Sequence, residues 1–266
     1  MPLALVSLGS NLGDRRRRLE HALVELATTT HTRLRRRSRW YRSRPVGGPA
    51  GQGEFLNGAA LLETKLPPLA LLDELQRIEQ LADRQREVRW SARTLDLDLL
   101  LYDELVLADQ RLTLPHPRMA CRRFVLQPAA EIAGALVHPA SGWTVGAAAR
   151  QLSRGQRIVI AAASPQIAVP LHAVASSAIR DTLPGAATLP SVEYWSSAVP
   201  ATRFPADVAL LLAVSPENAH SETAARRTLQ LPATGPVSWL TGAGGTSPAE
   251  EAAAAVTAAF APIGAI

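Results

Sequence analysis

Residues 94–103 read TLDLDLLLYD, and this run constrains the chain more than any other. Asp96 and Asp98 alternate with Leu95, Leu97 and Leu99. Successive strand side chains point to opposite faces, so a strand brings the two aspartates onto one face, with Cα atoms roughly 6.5–7 Å apart. The leucines then enter a core on the other face. Isolated carboxylates are costly to bury and sit beside a core when paired or bound to a cation. Two readings follow: a solvated acidic face, or a carboxylate pair that holds a divalent metal.

The surrounding charge favours a phosphate-bearing ligand. Residues 1–150 carry a net charge of +6 and residues 151–266 a net charge of −1. The basic half therefore calls for phosphate-rich ligands or nucleic acid. Of 28 cationic residues only Lys65 is a lysine. Arginine's planar fork suits bidentate phosphate contacts, although the abundant alanine points to a compositional bias that favours arginine in any case. A single cysteine, Cys121, excludes an intrachain disulfide and a cysteine-cluster metal site. The N-terminal MPLALVSLGSNLGD lacks the basic region of a signal peptide, and no run of 18 apolar residues occurs, so a cytoplasmic location is expected.

Periodicity outlines two parts. Strands are predicted at 2–8, 32–46 and 55–64. Helices are predicted after Asp14, a candidate N-cap, over 67–84 with a stripe of Leu71, Leu72, Leu75, Ile78 and Leu81, and from about 123. Mixed elements with short links indicate an α+β domain over 1–155. Charge thins out beyond it. Apolar strands at 157–163, 207–214 and 235–240, with a helix over 247–261 capped by Ser247 and Glu250, indicate a small Rossmann-like α/β domain over 156–266. That second domain is expected to be a non-catalytic appendage that packs on the first or mediates self-association. Cutting the chain near residue 155 is expected to spare activity.

Several motifs add chemistry. DRQREVRWSAR places Arg84, Arg86, Arg89 and Arg93 just before the aspartates, with Trp90 as a flat face. Arginines beside a metal pair suit a polyphosphate. LTLPHPR holds His116 between two prolines, and RRF adds Arg122 and Phe124. FLN puts Phe55 and Asn57 on one strand face, a pair able to stack on a heterocycle and bond its amide edge. There is no P-loop sequence, and TGAGGTSP lacks its lysine. RRRR at 15–18 and RLRRRSR at 33–39 raise the alternative of a nucleic-acid binding module, but no known binding motif accompanies them.

SLGSNLGD, FLNGAALLET, LLDELQRIE, RWSARTLDLDLLLYD, LTLPHPR and RRFVLQPAAEIA occur in the order seen in the 6-hydroxymethyl-7,8-dihydropterin pyrophosphokinase family, which residues 3–150 resemble. The resemblance implies a ferredoxin-like α+β fold and transfer of pyrophosphate from ATP to the pterin hydroxymethyl group, releasing AMP. It implies two Mg²⁺ ions on Asp96 and Asp98, and triphosphate contacts from Arg84, Arg93, Arg111 and Arg122, with Arg86 on a mobile loop. Gln76, Thr113 and His116 fall where the family holds the nucleotide. Phe55 and Phe124 sandwich the pterin, Asn57 and the backbone near Ser43 and Val46 read its edge, and Trp90 closes over it. Ser91-Ala92 replaces the usual Gly-Pro, and Arg44 replaces a common proline. These departures raise the alternative of a homologue that binds its ligands but turns over poorly. No side chain is assigned as general base.

Overall fold

The first strand, β1 (Leu3–Ser10), is buried along almost its whole length and forms the centre of an antiparallel sheet. The protein is described here by a computed structural model covering residues 1–46, 51–82, 94–195, 205, 207–214, 222–232, 234–241 and 246–266. Helix α1 (Arg15–Thr28) begins where the Asp14 carboxylate accepts the Arg17 N–H at 3.1 Å, and it buries Leu19, Leu23 and Leu26. The arginine-rich segment forms two strands, not one: β2 (Thr32–Arg37) and β3 (Tyr41–Ser43). The break has a packing cause. Buried Trp40 lies over Gly58, where an added Cβ would come within 2.5 Å of the indole. Both strands pair with β4 (Phe55–Thr64), and the exposed arginines of β2 line a free edge, where charge discourages edge-to-edge pairing.

Helix α2 (Pro68–Leu81) buries Leu71, Leu75 and Ile78, but Leu81 is 56% exposed and leaves the predicted stripe. Glu79 takes the inward position instead, accepting the Leu97 N–H at 2.8 Å. The Asp-Leu alternation forms β5 (Asp96–Tyr102), with Leu97 and Leu99 in the core beneath α1 and α2. A hairpin of β6 (Leu107–Ala108) and β7 (Thr113–Leu114) follows, then a 3₁₀ turn over Met119–Cys121 and α3 (Arg123–Ala133). The short pair β8 (Val137–His138) and β9 (Trp143–Thr144) leads into α4 (Val145–Arg154).

Beyond residue 155 lie β10 (Arg157–Ala161), α5 (Pro165–Thr182), β11 (Ser191–Tyr194), β12 (Val208–Val214), α6 (Glu222–Thr228), β13 (Ser238–Leu240), α7 (Pro248–Phe260) and β14 (Ile263–Ala265). Four of these strands form a parallel sheet in the order β11-β10-β12-β13. Both of its faces are covered, which explains the near-continuous apolar run of β12. The predicted cap of α7 forms as a reciprocal Ser247–Glu250 box. Helix α5, with Pro170 inside it, and the half-exposed β11 carry little periodic signal and were not anticipated.

The terminal strand β14 leaves its neighbours and pairs antiparallel with β3, so the first sheet runs β14-β3-β4-β1-β5. Helices α1 and α2 cover one face of that sheet, and α3 covers the other. The α3 side continues without interruption into α4, β10, β12, α5 and α7: one apolar cluster holds Leu5, Ala129, Leu152, Ile160, Leu212 and Val256 together. At the end of α4, a Cβ on Gly155 would lie 2.3 Å from the Ala209 backbone nitrogen, an atom that cannot swing aside. Gly155→Ala should therefore destabilise the protein by about 2 kcal/mol or more, measured by urea unfolding.

Candidate active site

The site is a consequence of register. Across four adjacent strands the pairing aligns Tyr41 with Asn57, Asn57 with Gly9 and Gly9 with Asp96. One pleat further on, Ser7 lies between Ala59 and Asp98, and one pleat the other way Phe55 faces Ser43. Side chains two apart share a face, so Phe55, Asn57, Ser7, Asp96 and Asp98 all present to the α3 side. Gly9 keeps the middle of this row open: a Cβ there would lie 3.5 Å from Asn57 Oδ1 and 3.9 Å from both Asp96 and Phe55.

Asn57 is buried and fixed. Its amide nitrogen donates to Ser43 Oγ at 2.9 Å and to the Tyr41 carbonyl at 3.3 Å, which turns its oxygen towards Gly9. Phe124 comes from the first turn of α3, which is tied to β3 where the Tyr41 hydroxyl donates to Glu131 at 2.7 Å and Arg39 pairs with Glu131 at 3.3 Å. Arg122 lies over the Phe124 ring, 5.7 Å from its centroid. Burial pulls the Arg122 guanidinium below its ordinary pKa, opposed first by Asp98 and more weakly by Asp96, so the cation faces the carboxylate pair.

A cleft of about 1080 Å³, partly open to solvent, gathers Ser43, Val46, Phe55, Asn57, Asp96, Asp98, Arg122 and Phe124. These are eight of the residues singled out from sequence. Gln76, Arg111, Thr113 and His116 do not line it. Arg111 pairs with Asp73 of α2, the helix that carries Gln76, and Thr113 is exposed on β7. Arg84, Arg86, Trp90 and Arg93 lie outside the described residues. His116 is held by its backbone N–H to the Leu100 carbonyl, 2.9 Å, and its Nδ1 accepts the Arg118 N–H at 3.1 Å. The proton of the neutral ring is therefore on Nε2.

Sequence reading assigned no role to Gly9, Ser7, Arg118 or Glu79. Arg118 stood within the PHPR motif, and Glu79 lay four residues after Leu75 on the inward side of α2, a signal available in advance. Trp239, Glu251 and Ala254 also line the cleft, and no local pattern pointed to them.

Asp96 and Asp98 are half-buried hard-oxygen donors at an open cleft, and no cluster of three or more metal-ligating side chains exists among the described residues. That donor set fits Mg²⁺, which takes one or two carboxylates and completes its shell with water and phosphate oxygens. An acidic pair, a guanidinium beside it and two aromatic rings in one cleft define a transferase of the kinase class.

Comparison with known proteins places the chain more narrowly. The family model described as 7,8-dihydro-6-hydroxymethylpterin-pyrophosphokinase (HPPK) matches residues 5–134. A 2-amino-4-hydroxy-6-hydroxymethyldihydropteridine pyrophosphokinase from Haemophilus influenzae is 46% identical over 141 residues, 53% of this chain and 88% of that protein. The enzyme of the same name from Pseudomonas aeruginosa is 48% identical over 128 residues, 48% of this chain and 78% of that protein. The chain belongs to this pyrophosphokinase family. Crystal structures of HPPK-DHPS from Plasmodium falciparum match at 12% identity with a TM-score of 0.44, over 66% of this chain and 54% of theirs. The chain spans about half of those longer chains, a likeness too slight to inform the fold. No helix among the described residues is long and apolar enough to cross a membrane.

His116 yields a pH signature. Loss of water around the ring lowers its pKa from 6.5 to about 4; Asp98 opposes the shift, and Arg122 and Arg118 add to it. On acidification the unfolded chain is protonated first, so this group's stabilisation is complete above pH about 6.5 and is lost as pH falls towards about 4. In metal-free buffer, His116→Asn should flatten the fall in melting temperature across that window relative to the parent.

Proposed function

We propose that this chain transfers the pyrophosphoryl group of ATP to the hydroxymethyl oxygen of 6-hydroxymethyl-7,8-dihydropterin, releasing AMP and the pterin diphosphate of folate biosynthesis. The observation that carries the reading is the aligned row Tyr41–Asn57–Gly9–Asp96, which sets a ring-recognising amide beside a carboxylate pair on one sheet face. In this assignment residues 1–155 are a ferredoxin-like pyrophosphokinase domain, and 156–266 are a Rossmann-like unit.

The pterin lies between Phe55 and Phe124, and the Asn57 oxygen accepts from its amide edge, with Ser43 and Val46 alongside. Ring stacking fixes the plane, and the amide fixes the rotation within it. The hydroxymethyl group then points along the sheet towards the aspartates. Asp96 and Asp98 would hold two magnesium ions, which when bound neutralise and orient the ATP phosphates. Arg122, facing that pair, donates to the transferred group, and its charge counters the negative charge that builds up in the transition state. Arg111, Thr113 and Gln76, on the α2 and β7 side, hold the nucleotide, as do Arg84, Arg86 and Arg93 from the preceding segment. His116 is neutral at physiological pH and contributes an Nε2–H donor, not a charge. Trp90 covers the bound pterin. Catalysis is then positioning plus electrostatics: the pterin oxygen is aligned with the β-phosphorus in a site that excludes water.

A coupled assay of AMP release tests this reading. Replacing both carboxylates, Asp96→Ala with Asp98→Ala, should lower turnover roughly a hundredfold or more, the scale seen when transition-state charge stabilisation is removed. Chelation of divalent metal should abolish parental turnover, and added Mg²⁺ should restore it. Activity indifferent to both treatments would overturn the assignment.

A further inference from the structure

The cleft is not built by the pyrophosphokinase segment alone. Its lining includes Trp239 at the C-terminal end of the parallel sheet, and Glu251, Ala254 and Ala255 on α7. Three connections hold this second unit in place. Glu251 is 8% exposed, yet it pairs with Arg118 at 3.2 Å across the junction. Both of its oxygens are engaged: Oε1 accepts from Arg118 and from Thr246 Oγ1 at 3.2 Å, and Oε2 accepts the Thr241 N–H at 2.8 Å. Arg118 belongs to the turn between His116 and Arg122, so the ion pair ties α7 to the loop that carries the cationic side of the site. The chain's last strand, β14, hydrogen-bonds along β3 opposite Ser43, and the Ile266 N–H reaches the Trp40 carbonyl at 2.8 Å. The apolar core beneath α3 continues into α7 without a gap.

We propose that α7 forms the outer wall of the pterin compartment, and that Ala254 sets the size of the pterin the site accepts. This rests on the pyrophosphokinase reading and extends it, because the selectivity is assigned to a part of the chain outside the segment that matches the family. The chemistry suits the role. Ala254, Ala255 and Ala258 line the cleft from α7, and such small side chains leave room for a flat ring against the helix. The Trp239 ring packs on the opposite face of the parallel sheet, against the cluster that holds Leu211 and Ala213, and so leaves the wall to α7. Glu251 and Arg118 are positioning residues. Each fixes the other, and neither needs to touch the reacting atoms.

The test uses the full chain, with the dihydropterin substrate and a non-hydrolysable ATP analogue as probes. Ala254 is half-buried, so a larger side chain can project into the cleft without entering the core. Ala254→Phe should raise the KM for the pterin about tenfold, more than it alters kcat, because the added ring occupies ligand space. Calorimetric affinity for the ATP analogue should stay at the parental value. Ala254→Leu, which adds a smaller side chain, should raise the same KM by a smaller factor. Glu251→Gln, which keeps shape and removes charge, should weaken pterin binding less than Glu251→Ala does. Should Ala254→Phe melt early, Ala254→Leu decides the matter alone. A parental-like pterin KM in a folded Ala254→Phe or Ala254→Leu would overturn the wall. A parent chain that binds no pterin and forms no AMP would instead overturn the pyrophosphokinase reading itself.

Discussion

Everything at the site depends on the hydrogen-bond register of β3, β4, β1 and β5. Because the side-chain period of a strand is two, a slip of one residue in any of these pairings would send its functional side chain to the opposite face. Register is well specified where one face is buried, and here both faces are. Leu8, Leu56 and Leu97 enter the core under α1 and α2, and Leu5, Ala59 and Leu101 enter the core under α3. The same apolar alternation that stabilises the sheet therefore positions Asn57 and Asp96. Fold and site are specified by one set of contacts.

The two aspartates show how a costly arrangement is tolerated. Each is flanked by buried leucines, yet each remains only half-buried, at the end of β5 where the sheet opens onto the cleft. Arg122 supplies a cation that faces them from the start of α3, and the first turn of a helix carries partial positive charge of its own. Glu79 makes the same point from the other side of the strand: a third carboxylate enters the interior and accepts the Leu97 amide, which steadies the strand between the two aspartates. Negative groups in this region are matched by donors and cations, as burial requires.

The unit beyond residue 155 has closer ties to the first sheet than its composition suggests. A shared core, the Arg118–Glu251 pair and the β14–β3 ladder are three different kinds of interaction, and together they tie this unit to the first sheet and to the turn before α3. Such a pair is costly to break from the arginine side, because the Glu251 carboxylate stays buried without its cation. The unit thus stabilises the geometry of the elements that line the cleft, whatever else it does.

Local pattern determined a good part of this protein. The β4 strand over 55–64, the Asp14 cap, the Ser247–Glu250 capping box and the Asp96–Asp98 pairing are all legible because their spacing is set by periods of two and 3.6 residues within a few neighbours. The parts of the cleft were legible too, since Phe55, Asn57, Asp96, Asp98, Arg122 and Phe124 each belong to a short motif. Tertiary structure alone decided how those parts meet. The Trp40–Gly58 contact splits one arginine-rich strand into two, the Leu97 N–H holds Glu79 against β5, and the last strand crosses to the first sheet. No window of sequence contains both members of these pairs. Their energies come from packing between segments tens to hundreds of residues apart, and Glu251 acquires meaning only when the folded chain places it against Arg118.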